Sequence, residues 1–282
     1  MPDTDSVLTV PALQQMKRDG RKIAGVVAWD TQMARIADRA GVDIVSVGDS
    51  VGVHLWGHDT PLQVTMDEMI VVCRAVRRGV KRALLSCDFP YGPLQEGPQA
   101  AVRAAIRLVK EGGADMVKLD AAADFPDAVR AVVQTGIPVF AQFGLTPQTA
   151  HIFGVDYQAL LANRAQVPPA LTEQFVTQVR QLAELGAALL DFTGSGPVAG
   201  PAAAQAVPIP VVGGVGGGPW LDGRMRLAHA AIGYAASQID TPAESYANVA
   251  RHTLDALTAL VDDVRSGRQI RGGIAIKTNP LG

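Results

Sequence analysis

Short, almost wholly apolar runs alternate along this chain with stretches whose apolar residues recur every three or four positions. The apolar runs predict strands at 22–28, 43–47, 82–87, 115–119, 137–141, 187–190 and 209–212. The helical spacing predicts helices at 31–40, 66–78, 97–111, 124–135, 169–185 and 198–206. Strands that are apolar on both faces and separated by helices belong to a parallel sheet covered on both sides. Seven such repeats predict a (β/α)8 TIM barrel. Its eighth strand has one candidate, 225–232.

Around this repeat lie a polar lead and short helix within 1–20 and two long loops, 48–64 and 142–168. A C-terminal helix is expected over 242–266, followed by a glycine-rich tail, 271–282. Tyr246, Val249, Ala250, Leu254, Leu257, Val261 and Val264 recur at helical spacing. That stripe either packs on the barrel or meets another subunit. No internal boundary interrupts the pattern, so residues 1–282 read as a single domain.

The length of 282 residues suits one barrel. A net charge of −2 without a basic patch speaks against nucleic acid or an anionic membrane as partner. Cys73 and Cys87 sit in apolar surroundings and form no CxxC pair. No basic-then-apolar leader opens the sequence, and no apolar run reaches membrane-spanning length. A reducing, cytoplasmic location is expected.

Five of the strand-like runs finish on aspartate: Asp30, Asp49, Asp88, Asp120 and Asp191. Parallel strands closed around one axis would bring these carboxylates to one mouth, where barrel chemistry sits. Clustered carboxylates repel and call for a cation. An all-oxygen set suits Mg²⁺, Mn²⁺ or Ca²⁺ rather than zinc. Asp49 and Asp88 are the best ligand candidates, because each follows an apolar run. The competing reading of any one of them is a helix cap. Lys118 alternates with Val117 and Leu119, so it shares a strand face with Asp120. Facing inward, Lys118 suits a substrate carboxylate or keto oxygen. A plain ion pair with Asp120 and a Schiff-base role are the competing readings.

Gly213-Gly214-Val215-Gly216-Gly217-Gly218 follows strand seven. In barrels that position often binds phosphate, and more generally marks close approach of backbone to a ligand. His54, His58 and His151 lie in the two long loops. Trp29, Trp56 and Trp220 fall near strand ends and either wall a pocket or fill core.

Seven stretches together are recognisable: VGDSVG at 47–52, GHDTPLQVT at 57–65, AVRRG at 75–79, CDFPYG at 87–92, GGADMVKLD at 112–120, GIPVFAQFGLTPQT at 136–149 and IPVVGGVGGGPWLDG at 209–223. The chain resembles the ketopantoate hydroxymethyltransferase family, within the phosphoenolpyruvate/pyruvate barrel superfamily. The resemblance implies a Mg²⁺-dependent barrel acting on an α-keto acid in pantothenate biosynthesis. It implies that Asp49 and Asp88 hold the metal, with Asp120 counted beside them, and that Ser50 and Lys118 contact substrate. It implies that Asp191 stands where the family has its catalytic base. The one-carbon donor would be 5,10-methylenetetrahydrofolate, and the assembly a homodecamer.

Three positions depart from the family pattern. Asp120 and Asp191 stand where the family has Glu, and Gln142 stands where it has His. Each acid is shorter by one methylene, about 1.5 Å of reach. Misplacing a base by that much costs on the order of a hundredfold in rate. Gln142 cannot titrate, so it carries no proton. An intact Asp49–Asp88 pair beside three changes suggests a retained enolate platform with an altered substrate. Related metal-enolate lyase, mutase or hydrolase chemistry, and a degenerate binding homologue, are the alternatives.

Overall fold

The computed structural model describes residues 6–154, 166–241 and 244–272. Eight parallel strands close into a barrel in chain order: β1 (Ile23–Val27), β2 (Ile44–Val47), β3 (Leu84–Asp88), β4 (Met116–Leu119), β5 (Val139–Gly144), β6 (Leu189–Thr193), β7 (Val211–Gly213) and β8 (Gly223–Leu227). β8 pairs back to β1 and completes the closure. The (β/α)8 expectation holds. The packing divides the chain into two compact units, Met1–Leu227 and Ala228–Gly282, and the barrel lies wholly within the first.

Side-chain alternation sorts the strands into two sides. Ile23, Ile44, Leu84, Met116, Phe140, Leu189, Val212 and Met225 form one buried cluster with Leu13 and Met16 of the helix Val10–Arg18. These residues lie early in their strands, so that helix seals the barrel's N-terminal end. Fully burying each large side chain is worth about 1.5–3 kcal/mol. Lys17 fixes the plug: its ammonium donates to the carbonyls of Ala204 and Ile209 and pairs with Asp222 at 2.9 Å. Val45, Leu85, Val117, Leu119, Ala141, Leu190 and Val211 belong to a second cluster, shared with the surrounding helices. Because the strand period is two, Ser46, Ser86, Lys118, Gln142 and Asp191 share the inward parity of the first cluster, as does Asp120.

Several boundaries differ from the sequence expectation. The eighth strand begins at Gly223, not 225, and stops at Leu227; Ala228–Ala231 is helical. Gly223 is needed there because a Cβ would strike the Ile23 carbonyl of β1. Arg224 and Arg226 flank Met225, so β8 lacks the apolar run that marks the other strands. β5 extends to Gly144, placing Gln142 in a strand rather than an irregular loop. Loop 48–64 contains the helix Val51–Leu55 and a turn at Pro61–Gln63. The C-terminal helix is Val249–Arg265, started by an Asn248 cap, which leaves Tyr246 outside it. Residues 242–243 and the tail from 273 onward lie outside the described residues.

Candidate active site

The C-terminal ends of β2 to β6 bring the predicted polar residues together. The Lys118 ammonium lies 3.0 Å from Asp191 Oδ2 and 3.6 Å from Asp88 Oδ2. Its partners are therefore the carboxylates of β3 and β6, not Asp120 alone as a simple ion pair would have it. Val117 and Leu119 pack outward, as the alternation requires. Ser46 donates its hydroxyl to Asp88 Oδ1 at 3.3 Å. Asp191 Oδ1 accepts the Gly214 N–H at 3.2 Å. Gln142 donates from Nε2 to Thr193 Oγ1 at 2.7 Å. Asp120 Oδ2 accepts the Gln148 N–H at 3.4 Å, while its Oδ1 is buried without a hydrogen-bond partner. Asp49 Oδ2 accepts from Gln148 Nε2 at 2.9 Å.

The electrostatics are those of a site short of positive charge. Burial, reinforced by the Asp88 carboxylate, pushes the Asp49 carboxyl up to about 8. Burial likewise pushes Asp120 up to about 7, against the opposing Thr146 hydroxyl bond and the Lys118 charge. Asp88 is also raised by burial, with Lys118 offsetting part of the effect. Burial alone would lower Lys118, but Asp88 and Asp191 reverse it and hold the ammonium above the usual lysine range. That rules against a neutral, nucleophilic amine. Asp49, Asp88, Asp120 and Asp191 thus crowd around one lysine.

A divalent cation fits this donor set. Asp49 and Asp88 offer oxygen only, from a place where ionisation is costly until a cation arrives. Among the described residues no three His, Cys, Asp or Glu side chains are grouped to hold a metal ion. Two carboxylates with substrate and water oxygens are a common Mg²⁺ arrangement.

Asp30, which shares the strand-end pattern, is a helix cap: its Oδ1 accepts the N–H groups of Gln32 and Met33, both at 2.8 Å. Ser50 heads the helix Val51–Leu55 without a side-chain capping bond. Trp29 donates to the Gly48 carbonyl at 3.0 Å and stacks on His54, bracing the loop before Asp49. Trp220 donates to Ser195 Oγ at 3.0 Å. His58 packs edge-on to Trp56, and His151 is exposed. The glycine run is packed against its own surroundings: a Cβ on Gly216 would stand 2.7 Å from the Gly194 Cα, and one on Gly218 would enter the Trp220 ring. Its contribution to the site is the Gly214 N–H that holds Asp191.

The structure adds residues to the site that the sequence reading does not single out. Ser46 and Ser86 face inward from strands read as apolar. Thr193 and Gln148 join through contacts distant in sequence. Alternation within β2 and β3 signals the two serines; only three-dimensional placement signals the rest.

The sequence model of a family described as ketopantoate hydroxymethyltransferase matches residues 7–269. The chain belongs to the ketopantoate hydroxymethyltransferase family. Among named relatives, the 3-methyl-2-oxobutanoate hydroxymethyltransferase of Cyanothece sp. is 38% identical over 263 residues, covering 92% of this chain and 97% of that protein. The protein of the same name from Moorella thermoacetica is 36% identical, over 93% of this chain and 95% of its own. Solved structures share the barrel. A 2,3-dimethylmalate lyase superposes with a TM-score of 0.58 at 15% identity, covering 96% of this chain and 91% of that one. A phosphonopyruvate hydrolase complexed with oxalate and Mg²⁺ gives 0.56 at 14% identity, covering 92% and 88%. At such identities these structural matches speak to the fold alone. Among the described residues no helix is long and apolar enough to cross a membrane.

Proposed function

We propose that this family member transfers a hydroxymethyl unit to an α-keto acid such as 3-methyl-2-oxobutanoate, with Mg²⁺ as its cation and 5,10-methylenetetrahydrofolate as donor. The observation that carries this reading is the Lys118 ammonium, which stands between the Asp88 and Asp191 carboxylates. Asp49 and Asp88 are the residues assigned to the cation, which when bound would relieve their mutual repulsion and stabilise negative charge on the keto oxygen as a Lewis acid.

The chain's own residues then divide the work. Lys118, kept charged by its two carboxylates, donates to a carboxylate or keto oxygen of the substrate. Doing so draws the ammonium off Asp191 Oδ2. That oxygen is then available to take the C3 proton as general base. The Gly214 N–H on Asp191 Oδ1 keeps the carboxylate oriented while the lysine moves. Ser50, without a capping bond, is assigned to the substrate carboxylate. Gln142, tied to Thr193, orients neighbours and moves no proton. Assembly into a homo-oligomer, ten subunits by family resemblance, is supported by the exposed Leu254, Leu257, Val261 and Val264 of the C-terminal helix.

The reading is tested by incubating the protein with 3-methyl-2-oxobutanoate, 5,10-methylenetetrahydrofolate and Mg²⁺. Mass spectrometry should find a keto acid heavier by one CH₂O, formed in step with tetrahydrofolate and only with the divalent ion. Unchanged keto acid under these conditions would contradict it.

A further inference from the structure

We propose that Gln148 is the positioning residue that presents Asp49 to the divalent cation, an inference that rests on the metal reading above. Gln148 is 3% exposed and reaches in from the loop after β5. Its Nε2 lies 2.9 Å from Asp49 Oδ2 and 3.0 Å from the Phe89 carbonyl. Both neighbours are acceptors, so the amide orientation is fixed and both N–H groups are in use. Its backbone N–H, meanwhile, donates to Asp120 Oδ2. One residue therefore ties together the ends of β2, β3 and β4.

By donating to Asp49 Oδ2, Gln148 fixes the plane of the carboxylate and leaves its remaining lone pairs to face an ion. Donation to the carboxylate also favours its charged, metal-binding form. The loop that delivers Gln148 is itself braced. The Leu145 N–H donates to the Thr193 carbonyl of β6 at 3.1 Å, and the Thr146 and Thr149 hydroxyls are joined at 2.7 Å. The same strand, β6, carries Asp191, so the Asp49 ligand and the Asp191 base are held in register through Gln148's loop.

The probe is Mn²⁺, titrated into the full chain and followed by electron paramagnetic resonance, with circular dichroism as the check on folding. Four proteins are compared: wild type, Asp49→Asn, Gln148→Met, which keeps the volume and loses both donors, and Gln148→Asn, which keeps the amide and withdraws it by one methylene. Losing an outer partner of a metal ligand typically weakens metal affinity about 10–100-fold. That loss is expected in both Gln148 variants, and saturating Mg²⁺ should restore most of kcat, which a merely collapsed site would not allow. If wild type binds and Asp49→Asn does not, but the folded Gln148 variants bind within about twofold of wild type, the positioning role is overturned and the metal reading stands. If wild type does not bind, or Asp49→Asn binds equally well, the metal reading fails and this inference with it. Should Gln148→Met not fold, Gln148→Asn decides between the same two results.

Discussion

Lys118 of β4 and Asp191 of β6 meet at 3.0 Å across the intervening strand β5, with both side chains largely withdrawn from water. The pair spans the mouth of the barrel rather than its surface. Removing one partner of such a pair leaves an uncompensated buried charge, which costs about 3–5 kcal/mol. Lys118→Met is expected to destabilise the fold by roughly that amount. The double variant Lys118→Met/Asp191→Asn should cost clearly less than the sum of the two single changes. Urea titrations of the three variants check this; simple additivity would show that the two groups do not interact.

Two buried carboxyls set a pH dependence. Asp49 and Asp120 have an ordinary value of 3.8 and are raised, mainly by burial, to about 8 and about 7. A carboxyl raised on folding favours the folded state while protonated, so its contribution is fully present below the unfolded value. It is lost as pH rises through the folded one. The metal-free protein should therefore lose thermal stability progressively between about pH 4 and about pH 8, from the unfolded value up to the folded ones. Saturating Mg²⁺ should raise Tm most at the upper end, and Asp49→Asn should shallow the metal-free slope. Calorimetry showing metal-free stability rising across that window would contradict the account.

The barrel is legible in the sequence because parallel strands covered on both faces must be apolar throughout. Asp49, Asp88 and Lys118 are legible because a charge at the edge of such a run has few structural uses. The same rule overreaches at Asp30, whose capping of the next helix leaves the identical strand-end signature. β8 escapes it because arginines alternate with its two large apolar residues, Met225 and Leu227. Gln148 escapes it for another reason: its partner Asp49 is 99 residues away, and no local periodicity encodes that contact.

Ala121 follows Asp120 with φ of 49°, in the left-handed region, and is buried. An L-residue held there costs about 1–2 kcal/mol, a cost that glycine avoids and a β-branched side chain increases. Ala121→Gly is expected to be close to neutral, while Ala121→Val should destabilise by at least about 2 kcal/mol in a urea titration. Equal effects of the two substitutions would show that the backbone relaxes out of this conformation, releasing Asp120 from its position.

The exposed apolar side of Val249–Arg265 leads to an expectation about assembly. Light scattering at micromolar concentration should find a homo-oligomer, and replacing Leu257 and Val264 together by Lys should shift it to smaller species. A monomer in the wild-type protein would contradict the assignment of that face.

The central claim is that Asp191 removes the C3 proton of a keto acid whose binding also depends on Asp49 and Asp88. It is tested most directly by following hydrogen–deuterium exchange at C3 of 3-methyl-2-oxobutanoate in D₂O by NMR, with Mg²⁺ and without folate. Wild type should catalyse exchange. Asp191→Asn should slow it by at least about a hundredfold, in line with loss of a general base, while calorimetry finds Mg²⁺ affinity within about twofold of wild type. Exchange persisting at the wild-type rate in Asp191→Asn would contradict the account.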